Sequence, residues 1–226
     1  MLAFESVDVS INGVQILRNI SFAIKPGDTV ALIGRNGAGK TTTLRSVMGF
    51  TAVRGRIAFD NTDLTAVRPS DRPGLGIGYA PEDRRLFSAF TVEENILMPG
   101  QVAKLSDTDL KKRLDRVYEI LPELIEMAPR PAGMVSGGQG KMVALGRALM
   151  IGTRLLMLDE PLQGLAPALA RRYADALRAL RDRDQEVTLI ITESNPALLR
   201  TFADRVLVIE RGEVRKGTFD EDKEVA

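Results

Sequence analysis

Between the apolar run Val30-Ala31-Leu32-Ile33 and the helical pattern from Thr41 to Met48 stands Gly34-Arg35-Asn36-Gly37-Ala38-Gly39-Lys40-Thr41. No other stretch restricts the fold so tightly. A buried strand, a glycine-rich bend and a helix in that order place the bend at a helix N-terminus. Glycines let the backbone turn so that successive N–H groups and the positive end of the helix dipole face one anion. The residues fit G-x-x-x-x-G-K-[ST] at every fixed position, which reads as a nucleotide's phosphate site from Gly34 to Thr41, with Thr42 following. Lys40 adds a full charge at the β- and γ-phosphates, and Thr41 offers a hydroxyl to Mg²⁺. Leu44, Val47 and Met48 turn inward, and Gly49 closes the helix.

The segments around this loop predict a layered α/β chain. Phe4 to Ile11 and Ile16 to Ile24 alternate in polarity about Asn12-Gly13, a strong hairpin signal, so an antiparallel β-lobe is expected first. Gly55 to Phe59 and Gly76 to Ala80 read as strands on either side of a polar, turn-rich segment. Thr91-Val92-Glu93-Glu94 is a capping box for a helix to Met98, and Ser106 to Asp109 opens another with Leu110, Leu114, Val117 and Leu121 on one face. A helical lobe inserted at about residues 88 to 150 follows, within a single domain of 226 residues. Asn195-Pro196 reads as a helix opening, Arg205 to Ile209 as a last strand before a hairpin turn, and the charged tail from Phe219 as frayed.

Two further stretches carry chemistry. Ser136-Gly137-Gly138-Gln139 leads straight into a helix rich in alanine and leucine, a second helix end suited to an anion. Leu155-Leu156-Met157-Leu158-Asp159-Glu160 is an apolar strand ending in two carboxylates. Asp159 suits the shell of a Mg²⁺ ion, and Glu160 suits orienting and polarising a water molecule. With neither histidine nor cysteine in the chain, imidazole and thiolate chemistry are excluded, so catalysis falls to carboxylates, hydroxyls and lysine.

The three motifs in this order and spacing resemble those of the ATP-binding subunits of ATP-binding cassette (ABC) transporters, over essentially the whole chain. The resemblance implies a P-loop nucleotide core that hydrolyses ATP with Mg²⁺. It implies a head-to-tail pair with a second ATPase subunit, itself or a sister chain, in which the Ser136 to Gln139 signature of one closes over the ATP of the other. Ala80-Pro81-Glu82-Asp83-Arg84-Arg85-Leu86-Phe87, Thr91 to Asn95 and Glu160-Pro161-Leu162-Gln163-Gly164-Leu165-Ala166-Pro167 resemble more closely the ATPase subunits of importers for branched-chain amino acids, amides, urea and aromatic acids. Glu82 stands where the wider family has glutamine, and is expected near the metal and the surface that meets the permease.

Several further positions depart from the wider pattern. Ile11 stands where relatives stack an aromatic on adenine, giving aliphatic contact and a modest loss of affinity. Ser194 replaces the switch histidine that reaches the γ-phosphate, and a hydroxyl is too short for that reach without a bridging water. Gly140-Lys141 puts a cation early in a helix, where the dipole disfavours it, unless it faces the partner's phosphates. Ala166 replaces an aspartate, as in the nearer subfamily.

The expected function is thus an ATPase subunit of an importer. Its partners would be transmembrane permease subunits and, indirectly, a solute-binding protein. The opening Met1 to Glu5 lacks a signal-peptide pattern and no apolar run reaches about 18 residues, so the chain is expected on the cytoplasmic side of the cell membrane, held there by the permease. Thirty-one basic against thirty acidic residues leave a net charge of +1, from which no global attraction to nucleic acid follows, and no nucleic-acid partner is expected. Two alternatives are a soluble non-transport ABC ATPase and a small-molecule phosphotransferase with the same loop. The first normally carries two cassettes or a coiled-coil insertion; the second leaves Ser136 to Gln139 without a purpose.

Overall fold

The computed structural model describes residues 2–195 and 197–219. In chain order its strands and helices are β1 (Leu2–Ile11), β2 (Val14–Ile24), β3 (Thr29–Ile33), α1 (Lys40–Met48), β4 (Arg54–Phe59), β5 (Thr62–Asp63), β6 (Ile77–Ala80), α2 (Val92–Val102), α3 (Asp107–Ile120), α4 (Glu123–Met127), α5 (Gly137–Ile151), β7 (Leu155–Asp159), α6 (Pro167–Arg183), β8 (Thr188–Glu193), β9 (Arg205–Glu210) and β10 (Glu213–Gly217). These form two compact units, residues 2–72 with 188–219 and residues 73–187.

In the first unit β2, β1, β4 and β5 lie side by side, antiparallel throughout. Asn12 and Gly13 both take positive φ, 51° and 81°, and make the two-residue turn that an Asn-Gly pair favours. The even alternation expected from Phe4 to Ile11 is broken. Ser6 sits at φ 49° and the register shifts between Phe4 and Val7, so the strand bulges and Glu5 and Ser6 both face solvent. The other strands of this unit run β10-β9-β3-β8. β3 is parallel to both β8 and β9, and all five of its residues are buried, which is why it reads as an unbroken apolar run.

The far end of α1 is held by a residue that the sequence does not single out. Arg72 is only 5% exposed; its Nη1 donates to Ser46 O at 2.9 Å and Val47 O at 2.6 Å, its Nη2 to Leu64 O at 2.6 Å and its Nε to Val67 O at 3.1 Å. Burial pushes its pKa below the ordinary arginine value. The helix's last carbonyls and the negative end of its dipole offset that cost.

In the second unit β6 and β7 pair in parallel, Ile77 opposite Leu155 through Ala80 opposite Leu158. Thr91 and Glu94 form the expected capping box, but α2 continues past Met98 through Pro99 and Gly100 to Val102. An interior proline costs about 3 kcal/mol. Packing explains why the helix continues: a Cβ on Gly100 would lie 2.5 Å from Leu110 Cδ2, so the glycine lets α2 and α3 touch. Ser106 caps α3 by accepting from Asp109 N at 3.1 Å; Val117 and Leu121 are buried on its inner face, with Leu110 and Leu114 half-buried. α6 has Pro167 in its first turn and buries Tyr173, Leu177 and Leu180, a helix whose signal is obscured by the turn-rich run before it.

Pro196 and residues 220–226 lie outside the described residues, and with them all of the expected tail beyond Phe219. The helix expected at Asn195 is not formed in the described residues. Asn195 Oδ1 accepts from Ala197 N at 3.2 Å, and the chain then makes a 3-10 turn over Leu199–Thr201.

Replacing Arg72 with methionine keeps the stem and removes four donors to buried carbonyls. Stability should fall by about 2–4 kcal/mol. Urea unfolding of the purified protein checks this, and an unchanged midpoint would show that the carbonyls do not depend on the guanidinium.

Candidate nucleotide site

The loop from Gly34 to Gly39 joins β3 to α1 and is shaped by neighbours in its own unit. A Cβ on Gly34 would lie 2.3 Å from Ile209 O in β9, and one on Gly39 would lie 2.8 Å from Leu17 Cδ2. Gly39 also takes φ 117°, a backbone closed to side chains. Gly212, in the β9–β10 turn, donates its N–H to Ala38 O at 3.1 Å, so that hairpin leans on the loop. Gly39 makes no side-chain cap for α1, and the helix's first turn has no acidic residue. Its leading amides are thus arranged for an anion supplied from outside.

Lys40 lies back along the loop. Its Nζ donates to Gly34 O at 2.7 Å, to Arg35 O at 3.2 Å and to Ser194 Oγ at 3.0 Å. The same Ser194 hydroxyl donates to Asn36 Oδ1 at 2.8 Å. Ser194, weighed in the sequence as a residue too short for a γ-phosphate, is therefore tied to two residues of the phosphate loop itself. Thr41 and Thr42 are half-buried in the first turn of α1, and Arg35 and Asn36 are exposed on the outside of the loop. Ile11 closes β1 opposite Val14 and is 41% exposed, an aliphatic surface beside the hairpin turn.

The second unit holds the signature and the carboxylates. Ser136 caps α5: its Oγ accepts from Gln139 N at 3.3 Å, while Gln139 Oε1 accepts from Ser136 N at 2.9 Å. The hydroxyl keeps its own proton to donate, and Ser136 and Gly137 are exposed, with Gly138 half-buried. Asp159 ends β7 at 1% exposure, and Tyr79 Oη donates to its Oδ2 at 3.1 Å. The sequence holds a signal for that tyrosine: it faces Met157 across the parallel pair, two residues from Asp159. Glu160 is 5% exposed and sits at φ 43°, where a residue with a side chain costs about 1–2 kcal/mol. Glu82 is exposed in the turn after β6.

Three neighbouring cations bind their own chain rather than projecting away. Lys141 Nζ donates to Glu160 O and to Gln163 O, both at 2.7 Å, which offsets the dipole that disfavours a cation so early in the helix. Arg84 Nη1 donates to Gly137 O at 2.9 Å, and Arg85 pairs with Asp83 at 2.6 Å.

Among the described residues no group of three or more acidic side chains forms a metal cage. Thr41 in the first unit, and Asp159 and Glu82 in the second, carry hard oxygen donors of the kind that Mg²⁺ takes.

A strand-borne phosphate loop, a capped serine-glycine helix start and a strand ending in two carboxylates define a P-loop ATPase cassette. Residues 17–163 match the ABC transporter family, and the chain belongs to that family, in which ATPase activity is general. It is 38% identical to the high-affinity branched-chain amino acid transport ATP-binding protein BraG of Pseudomonas aeruginosa, over 95% of this chain and 91% of that one. It is 32% identical to the probable branched-chain amino acid transport ATP-binding protein LivF of Archaeoglobus fulgidus, over 98% and 93%. The spermidine/putrescine import ATP-binding protein PotA of Thermotoga maritima is also 32% identical, over 94% of this chain and 57% of that one. Among solved structures, the ADP conformation of MJ1267, an ATP-binding cassette of an ABC transporter, superposes with a TM-score of 0.83 at 27% identity, covering 100% of this chain and 94% of that one.

Ser194→Ala removes an acceptor from Lys40 and a donor from Asn36. At about 1 kcal/mol for a net hydrogen bond, ATP should bind roughly fivefold more weakly. Titration with a fluorescent ATP analogue measures this, and equal affinity would show that the hydroxyl does not set the loop.

Proposed function

We propose that the chain is the ATP-hydrolysing subunit of an importer for branched-chain amino acids or similar small solutes. The observation that carries this reading is the complete phosphate loop at the uncapped start of α1, in a chain alike over nearly its whole length to BraG. PotA's comparable identity over this chain keeps the solute class wider than one group of amino acids.

Each site residue then has a role. Lys40 and the amides from Gly34 to Thr42 take the phosphates, and Ile11 gives aliphatic contact to the base. Thr41, Asp159 and Glu82 hold Mg²⁺, which when bound screens the charge of the β- and γ-phosphates. Glu160 orients and polarises the attacking water, while Ser194 steadies Lys40 and Asn36. Ser136, Gly137, Gly138 and Gln139 recognise the ATP of a second subunit, itself or a sister chain, in a head-to-tail pair. The whole chain acts as one ABC ATPase domain, with the segment at about 88 to 150 as its helical lobe.

No helix of the described residues is long and apolar enough to cross a membrane. Attachment on the cytoplasmic side comes through permease subunits, which in turn meet a solute-binding protein; no nucleic acid takes part. Phe87 and Phe90 support such docking: they stack at 5.7 Å between ring centroids while 47% and 43% exposed, with the Arg147 guanidinium 5.5 Å from the Phe87 ring centroid. An exposed aromatic pair rimmed by charge suits a short permease helix.

Phosphate release at saturating ATP and Mg²⁺ tests the reading. The wild-type protein should turn over, and Lys40→Ala and Glu160→Gln should each lose about a hundred- to thousandfold. With ATP the Glu160→Gln variant should sediment as a dimer. Wild-type protein with no phosphate release, alone or with co-expressed permease, would refute the assignment.

A further inference from the structure

We propose that Lys141 is a positioning residue for Glu160: it holds by two carbonyl bonds the turn from which that carboxylate acts, and so joins the signature helix to the catalytic turn within one subunit. The inference rests on the reading of Glu160 as the group that orients the attacking water.

Glu160 leaves β7 with a left-handed backbone, and its side chain is buried. A residue with a side chain keeps such a conformation only where its surroundings impose it. The turn's own closure is weak, since Gln163 N reaches Glu160 O at 3.3 Å. Lys141 supplies the stronger hold, with Nζ 2.7 Å from Glu160 O and 2.7 Å from Gln163 O, charge-assisted bonds to both ends of the same turn. Both acceptors are backbone oxygens. These two bonds fix the path of the chain at the turn.

The place of Lys141 in α5 points the same way. It is the fifth residue of the helix, where the dipole opposes a positive charge, and the two carbonyl oxygens offset that opposition. Gly140 and Met142 to Leu145 on either side are buried, so the base of the side chain is anchored in packed helix. Ser136 starts the same helix little more than one turn earlier. When Ser136 engages the phosphates of ATP held by a second subunit, α5 is loaded at its N-terminus, and Lys141 passes that load to the turn carrying Glu160. ATP closure and orientation of the water are coupled through one side chain.

The chain has no cysteine, which makes a chemical rescue available. In full-length Lys141→Cys the kcat for phosphate release should fall about tenfold or more while KM for ATP stays within about twofold, the pattern of a lost transition-state arrangement. Alkylating that cysteine with 2-bromoethylamine restores a cation of lysine's length and should bring kcat back, whereas iodoacetamide, which adds neutral bulk, should not. If the cysteine variant does not fold, Lys141→Arg and Lys141→Gln make the same comparison, arginine keeping at least about half of the wild-type kcat and glutamine losing about tenfold. A wild-type kcat in Lys141→Cys, equal rescue by both reagents, no rescue by 2-bromoethylamine, or equal rates for arginine and glutamine would each overturn the proposal. Wild-type protein that releases no phosphate would instead overturn the functional reading beneath it.

Discussion

A helix start left without a side-chain cap is the constraint from which the first unit follows. Three of this chain's longer helices close their first turns with Thr91, Ser106 or Ser136, whereas α1 begins at a glycine in a left-handed conformation. Keeping those amides uncovered requires a bend that only small residues can make. That bend is pressed against β9, where the Ile209 carbonyl leaves no room for a side chain at Gly34, while Gly39 is required by its left-handed backbone and the approach of Leu17. The parallel set β9-β3-β8 and the β9–β10 hairpin are the support that holds a strained loop in one shape. Lys40 and Ser194 complete it by tying the loop's carbonyls and Asn36 together.

The second unit solves the opposite problem. Ser136 both caps α5 and keeps a proton to donate outward, so the helix is stable without sacrificing recognition. The polar side chains around it are turned inward: Arg84 to Gly137 O, Lys141 to the Glu160 turn, Tyr79 to Asp159. The exposed start of α5 is thereby built on backbone already fixed within its own unit.

The phosphate loop, the signature and the paired carboxylates were legible because each needs particular residue types at fixed spacing, and the Asn12-Gly13 turn because few residues accept two positive φ values in succession. Other features depend on contacts that no local pattern encodes. The extension of α2 through Pro99 rests on Gly100 meeting Leu110, and the broken alternation of β1 on a bulge at Ser6. The bonds of Ser194 join residues 158 and 154 positions apart, so its role could not be read from the stretch in which it lies. Lys141 was conspicuous as a cation in the wrong part of a helix, but which oxygens it answers is set by the return of the chain after β7.

Arg72 has a consequence for the helix whose far end it grips. α1 offers bare amides at one terminus and has a buried guanidinium on its carbonyls at the other, so it behaves as a polarised rod clamped at its negative pole. A ligand anion at the positive pole and the guanidinium at the negative one then stabilise the same array of peptide dipoles. Occupancy of the loop and stability of the first unit are for that reason linked quantities: an anion that binds at the glycines of the folded chain and not of the unfolded one adds to the stability of the unit that Arg72 helps to hold.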